Sequence, residues 1–512
     1  MKRATEREIA LGPRQKDVSL QRWLYSELRD AILTGRLEPG ARLPASRELA
    51  RRLRISRGTV LVVFDQLAAE GYLKGSVGRG SFVAPALPEL SPMINSLGFR
   101  PDAESDADKE RRQARSKITL SSLGKRLART PFQVEGRRVP ARAFRPNQPD
   151  LAAFPFDLWK RIVSSQTRSL RRDTLADGEA LGFRPLRTAI AQHLRTARGI
   201  FCSADNVAIV GSIQQVFDLI VRLVLDPGDE VWMEDPGYPG ARQIFEAAGA
   251  KIAAVPVDEG GMDVLAGCVL APNAKLVYIT AGRQAPLGPS LALDRRLKLL
   301  AWAQKSGAVI IEDDYDSEYR FEGAPLAALK SLDRNENVVY CGTFSKLLFP
   351  ALRIAYAVLP ESLVEPFTNA LSLSYRHPSL LPQTALHEFI AEGHFGRHIR
   401  KMRLLYSERA QALQEAARIS LRGLLDIPPI TIGLDTPAFL TWAGDDAAIA
   451  SKAAEGGIES RPLSVYSVRR PAPPGLLLGF AAVEPAVITT GAVALARVLE
   501  SLIEFSPRKV YF

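Results

Sequence analysis

The sequence predicts a small α+β head joined to a large α/β domain with a mainly parallel sheet. Three observations point there. Helical periodicity and a glycine-rich hairpin fill the first 85 residues, short apolar strands alternate with helices from about Ala143 onward, and the excess positive charge sits at the front of the chain. Residues 1–85 hold 16 Lys and Arg against 9 Asp and Glu, residues 86–145 hold 13 against 7, and the rest hold 38 against 40. A basic module on a near-neutral body predicts a polyanionic partner for the head.

At 512 residues and 46% hydrophobic composition the chain is long enough for two or three cores. No apolar run approaches the ~20 residues of a membrane helix, and no signal-type apolar stretch follows the first residues, so a cytoplasmic protein is expected. Cys202, Cys268 and Cys341 are odd in number and far apart. They predict neither a disulfide framework nor a metal site.

From Leu20 to Leu33 apolar residues recur at three and four, as on an amphipathic helix ended by Gly35. Leu37 to Gly40 reads as a turn, and Ser46 as the N-cap of a second helix through Arg52. Ser56 caps a third, whose apolar face is expected to carry Val60, Phe64, Leu67 and Ala68. Gly71–Lys74 and Ser81–Val83 read as strands joined by the glycine-rich stretch 75–80. Three helices and a hairpin make a winged helix-turn-helix, with the third helix entering the major groove of double-stranded DNA and Arg79 on the wing near a phosphate. Residues 86–145, with scattered prolines and an acidic run followed by a basic one, read as a flexible linker.

In residues 146–512 four strand ends carry the chemistry. Val207–Val210 runs into Gly211, Ser212, Ile213 and Gln214, a small-residue turn opening a helix, where free amides suit a phosphate. Val231 to Gly240 is a strand with a Gly/Pro loop that lifts Tyr238. Val309–Ile311 leads into Glu312, Asp313, Asp314, Tyr315 and Asp316, and Val338–Tyr340 into Thr343, Phe344, Ser345 and Lys346. Anion site, stacking ring, carboxylate, ring-oxygen donor and amine together match the needs of pyridoxal 5′-phosphate. Ligands in such sheets sit at strand C-termini.

Leu43 to Ala50, Ser56 to Val60 and Glu70 to Leu73 resemble the GntR-type DNA-binding domain. The resemblance implies that Arg47, Arg57 and Thr59 face DNA; Gly58 stands where a larger polar residue is common. Asp235–Gly240, Glu312–Glu318, Gly342–Lys346 and Ala391–Phe395 resemble a fold-type I aminotransferase, and the fusion resembles the MocR/GabR family of transcription regulators. That resemblance implies a Schiff base on Lys346, Asp313 at the pyridine nitrogen with Asp314 as rival, Tyr315 at the ring oxygen and Tyr238 on the ring. It further implies phosphate contacts from Ser212, Ile213, Gln214, Thr343, Ser345 and Arg353, and a homodimer that senses a small amino compound through an external Schiff base. A working aminotransferase with an accessory head is the alternative.

The chain departs from that pattern in places. Arg283, Ala285 and Leu287 replace the usual residues of their loop, Gly211 opens the phosphate turn, and Leu477 stands where aminotransferases place a carboxylate-binding arginine. Arg461 and Arg283 are the candidates to hold an effector's carboxylate instead.

Overall fold

The computed structural model describes Gly12 and residues 18–76, 80–85, 119–128, 141–169, 176–323, 326–469 and 473–504. The chain divides into two compact units, residues 1–118 and 119–512.

In the first unit α1 (Leu20–Leu33), α2 (Ser46–Leu53) and α3 (Arg57–Ala69) enclose one apolar cluster with the hairpin β1 (Leu73–Ser76) and β2 (Gly80–Val83). The period of 3.6 buries Leu24, Leu28, Ala31 and Ile32 of α1 and Val60, Val63, Phe64 and Leu67 of α3. Val63 takes the place expected for Ala68, which is exposed one step round the helix from Leu67. Ser56 accepts from the Thr59 amide as predicted. Ser46 is not a cap; it is the first helical residue of α2, after Ala45. Gly71, at φ +82°, closes α3 with a turn, so β1 starts two residues later than expected.

The second unit is built on an eight-stranded sheet. Its strands are β3 (Val207–Val210), β4 (Glu230–Asp235), β5 (Lys251–Asp258), β6 (Gly261–Met262), β7 (Leu276–Ile279), β8 (Val309–Asp314), β9 (Val338–Thr343) and β10 (Ala355–Val358). They lie in the order β3-β10-β9-β8-β7-β4-β5-β6. The run β9-β8-β7-β4-β5 is parallel, while β10 is antiparallel to both β3 and β9. The parallel strands are continuously apolar because helices cover both faces. Phe217, Phe245 and Phe367 fill one side; Trp232, stacked on Trp302 at 3.9 Å, fills the other.

A second, antiparallel sheet orders β11 (Leu425–Asp426), β12 (Asp435–Leu440), β14 (Gly475–Gly479) and β13 (Arg461–Pro462). The chain from Ala143 to Arg145 runs along it: Gly479 N–H donates to Phe144 O at 2.9 Å, and Arg145 pairs with Glu459. A Cβ on Gly479 would lie 1.9 Å from the Arg145 carbonyl oxygen, so only glycine allows this approach.

Residues 119–128, placed in the linker by sequence, belong to the second unit. Ser122–Ala128 is helical, and Arg126 Nε donates to the Ala247 carbonyl at 2.7 Å. The helix Pro485–Glu504 is long and apolar enough to cross a membrane by length and composition. Its Ile488, Ala492, Leu495 and Leu499 recur at three and four and are buried in the main apolar cluster, as in a core helix.

Candidate functional site

The parallel strands deliver the predicted side chains to one edge of the large sheet. β8 presents Asp313 and Asp314 on opposite faces, as the two-residue period requires. Asp314 turns away from Lys346. It pairs with Arg198 at 2.9 Å and accepts from Tyr340 Oη at 2.6 Å. Asp313 lies on the Lys346 side, where Tyr278 Oη donates to its Oδ2 at 2.7 Å and its buried Oδ1 has no partner among the described residues. Geometry thus separates the two rivals. Burial pushes the Asp313 carboxyl up to about 6, against the stabilising hydrogen bond from Tyr278 and the nearby Lys346 charge.

Lys346 lies in the single-turn helix Phe344–Leu347 that follows β9, capped by Thr343 accepting from the Ser345 amide. Its Nζ stands 4.0 Å from the centre of the Tyr315 ring and donates to Asn147 Oδ1 at 2.8 Å. Desolvation holds its ammonium below the usual lysine range, although Asp316, Asp435 and Asp313 pull the other way. A larger neutral fraction is the condition for attack on a carbonyl.

Tyr238 follows β4, and its hydroxyl accepts from Gln214 Nε2 at 2.9 Å, which ties the aromatic loop to the start of the helix Ile213–Val224. Gly240 carries no Cβ because one would lie 2.5 Å from the Tyr238 ring. At that helix start Ser212 is the N-cap and its side chain takes the Gln215 amide; the first-turn amides of Ile213 and Gln214 have no helical acceptor. The start of β10 is in register with the ends of β3 and β9, Ala355 opposite Val210 and Thr343. Arg353, two residues earlier, ends the short turn Pro350–Leu352 with a left-handed φ of 52°. It is exposed and forms no ion pair among the described residues.

Arg283 is committed elsewhere than expected. It is 4% exposed, pairs with Asp316 at 2.8 Å and Asp435 at 3.2 Å, and donates to the Tyr315 hydroxyl at 3.0 Å. Gly433, at φ +95°, makes room for that cluster, since a Cβ there would lie 2.7 Å from both Arg283 and Asp316. Two carboxylates saturate this guanidinium, so it does not serve as a free carboxylate clamp. Because Arg283 donates to the Tyr315 oxygen, the Tyr315 proton stays available for another acceptor. Arg461 has no ion pair among the described residues and sits directly opposite Leu477 in the small sheet. Its guanidinium lies against Tyr466, whose carbonyl takes the Gly237 amide beside Tyr238.

Asn147 and Tyr278 are site residues that sequence reasoning missed. Asn147 precedes Lys346 by 199 residues and holds a left-handed φ of 60°, with its amide on Asp435 Oδ2. Nothing local marks it. Tyr278 is readable as an inward residue on a buried strand end, next to the strand that carries Asp313.

In the head, Arg47 and Arg57 are exposed on α2 and at the first residue of α3, and neither is ion-paired among the described residues. Thr59 is half-buried, with its Oγ1 2.9 Å from Ser56 Oγ. Arg51 and Arg54 add exposed charge beside them. Arg79 lies outside the described residues.

Comparison with known proteins accounts for both units. Residues 20–83 match bacterial regulatory proteins of the gntR family, and residues 157–432 match aminotransferase class I and II. The probable rhizopine catabolism regulatory protein MocR of Rhizobium meliloti is 38% identical over 479 residues, 93% of each chain. The pyridoxine biosynthesis regulator PdxR of Corynebacterium glutamicum is 28% identical over 477 residues, 92% of this chain and 94% of that one. Among solved structures, the α-aminoadipate aminotransferase LysN of Thermus thermophilus superposes with a TM-score of 0.68 at 26% identity, covering 75% of this chain and 98% of that one. Kynurenine aminotransferase of Pyrococcus horikoshii gives 0.66 at 25%, covering 80% and 100%. The chain belongs to the MocR family of helix-turn-helix transcriptional regulators, in which a GntR-type DNA-binding head is fused to an aminotransferase-like domain.

Proposed function

We propose that this regulator binds pyridoxal 5′-phosphate at Lys346 and uses it to sense a small amino compound, which alters how its heads hold DNA. One observation carries the reading. The desolvated Lys346 amine and a buried carboxylate with one unpartnered oxygen, Asp313, occupy neighbouring strand ends. When bound, the cofactor supplies an aldehyde that takes up primary amines reversibly. Asp313 would hold the ring nitrogen, Tyr315 would donate to the ring oxygen and Tyr238 would pack against the ring. Ser212, Ile213, Gln214, Thr343, Ser345 and Arg353 would hold the phosphate. The LysN structure, which is complexed with a phosphopyridoxyl-leucine adduct, supports the assignment by likeness of fold.

Arg47, Arg57 and Thr59 approach the DNA, with backbone phosphates supplying most of the affinity. A homodimer in the cytoplasm, reading a repeated half-site, follows from the same reading. With Arg283 saturated, Arg461 is the arginine left to receive an anionic group on the effector. Regulation requires that the amine favour one arrangement of the protein over another.

The test mixes purified protein with its own promoter region and a panel of amines, reading DNA mobility and visible absorption together. An amine that shifts both supports the proposal. Steady turnover of an amino donor and a keto acid at ordinary enzymatic rates, with no effect on DNA binding, favours an aminotransferase instead.

A further inference from the structure

Asp313 is held by a group that no other part of the site explains. Tyr278 is completely buried at the end of β7, wedged edge-on between Phe217 at 5.4 Å and Phe245 at 6.0 Å. Its one hydroxyl donates to Asp313 Oδ2 at 2.7 Å and leaves the buried Oδ1 without a partner among the described residues. An orphaned buried carboxylate oxygen is costly unless a donor arrives.

We propose that Tyr278 is the positioning residue of the cofactor site: it pins Asp313 by one oxygen so that the other alone meets the protonated ring nitrogen, and it sets how much negative charge that nitrogen feels. The proposal rests on the reading that Lys346 and Asp313 hold pyridoxal 5′-phosphate. A phenol suits the task because it donates one hydrogen bond without bringing a charge. The aromatic wedge leaves its ring little freedom, so the aim of Oδ1 is set before the cofactor enters. The other groups that act on Asp313 are Lys346 after β9, Asp314 and Asp316 on its own segment, Glu234 on β4, Tyr238 after it, Tyr315, and the Cys341 thiol on β9. Only Tyr278 among them hydrogen-bonds the carboxylate.

The fold provides its own control. Tyr340 donates to Asp314 Oδ2 at 2.6 Å on the opposite face of the same strand, a buried tyrosine–aspartate pair of the same chemistry that faces away from Lys346. Full-length wild type, Tyr278→Phe, Tyr340→Phe, Asp313→Asn and the Tyr278→Phe/Asp313→Asn double variant are titrated with pyridoxal 5′-phosphate. The visible band of each loaded protein is then followed against pH. Tyr278→Phe is expected to weaken cofactor binding by about tenfold and to move the pH midpoint of the band, while Tyr340→Phe changes neither. The double variant should bind no more weakly than Asp313→Asn alone, since the tyrosine acts through the carboxylate.

Equal losses in both backgrounds, or an unmoved midpoint in Tyr278→Phe, overturn the proposal. If Tyr278→Phe does not fold because Asp313 is stranded, the comparison of the double variant with Asp313→Asn still decides: a further tenfold loss there overturns it. A wild-type chain that takes up no cofactor overturns the underlying reading as well, which separates the two failures.

Discussion

Lys346 Nζ donates to Asn147 Oδ1 at 2.8 Å, so its amine is held from a residue 199 positions earlier in the chain. The same asparagine is anchored through its amide to Asp435, which in turn grips Arg283. A carboxamide oxygen that accepts from an ammonium favours its charged form. Asn147→Gly, which keeps the left-handed backbone, should therefore lower the Lys346 pKa further. The rate at which cofactor-free protein takes up pyridoxal 5′-phosphate, measured against pH, should show its rising limb shifted to lower pH. A shift to higher pH contradicts the assignment.

Arg283 holds two buried acids together. Arg283→Met strands Asp316 and Asp435 and should destabilise the large domain by about 3–5 kcal/mol. Urea denaturation followed by tryptophan fluorescence measures it. A change below about 1 kcal/mol would show that the ion pairs are dispensable, and would reopen Arg283 as an effector ligand.

Glu234 makes stability depend on pH. It is buried beneath the 281–288 loop, where it accepts from the Thr280 amide and hydroxyl, and desolvation pushes its carboxyl up to about 8 from an ordinary 4.5. A folded-state pKa above the unfolded one contributes stability that is fully present below about 4.5 and lost as pH rises through about 8. Glu234→Gln should flatten that loss, changing little near pH 5 and gaining up to the order of 4 kcal/mol near pH 8. Thermal unfolding at the two pH values checks the sign.

The exposed arginines of the head predict a salt signature. Removing Arg47 or Arg57 should reduce affinity for every DNA sequence and lower the slope of log affinity against log salt by about 1 for each phosphate no longer neutralised. A weakening confined to one sequence with an unchanged slope would place that arginine on a base edge instead.

Much of this architecture is legible in the sequence because it is local. Ser56 caps α3, and continuous apolar runs mark the parallel strands, whereas Asp313 and Asp314 stayed rivals until Arg198 and Tyr340 claimed Asp314. What escaped depends on distant partners. Arg283 looks like a free cation until Asp435 arrives from 152 residues away, and Asn147 lies in a segment with no periodicity to mark it. The helix Ser122–Ala128 was hidden for a similar reason. Its seven residues bury no side chain, and Arg126 docks on a carbonyl of another helix.

Lys346 is proposed to be the one residue that links an amine to DNA. Lys346→Ala in the full-length chain, measured by visible absorption and by DNA mobility with and without the effector amine, tests this most directly. The expected outcome is no visible band, no response to the amine, and DNA binding by the head equal to that of the wild type without effector. An amine response that survives the substitution would contradict it.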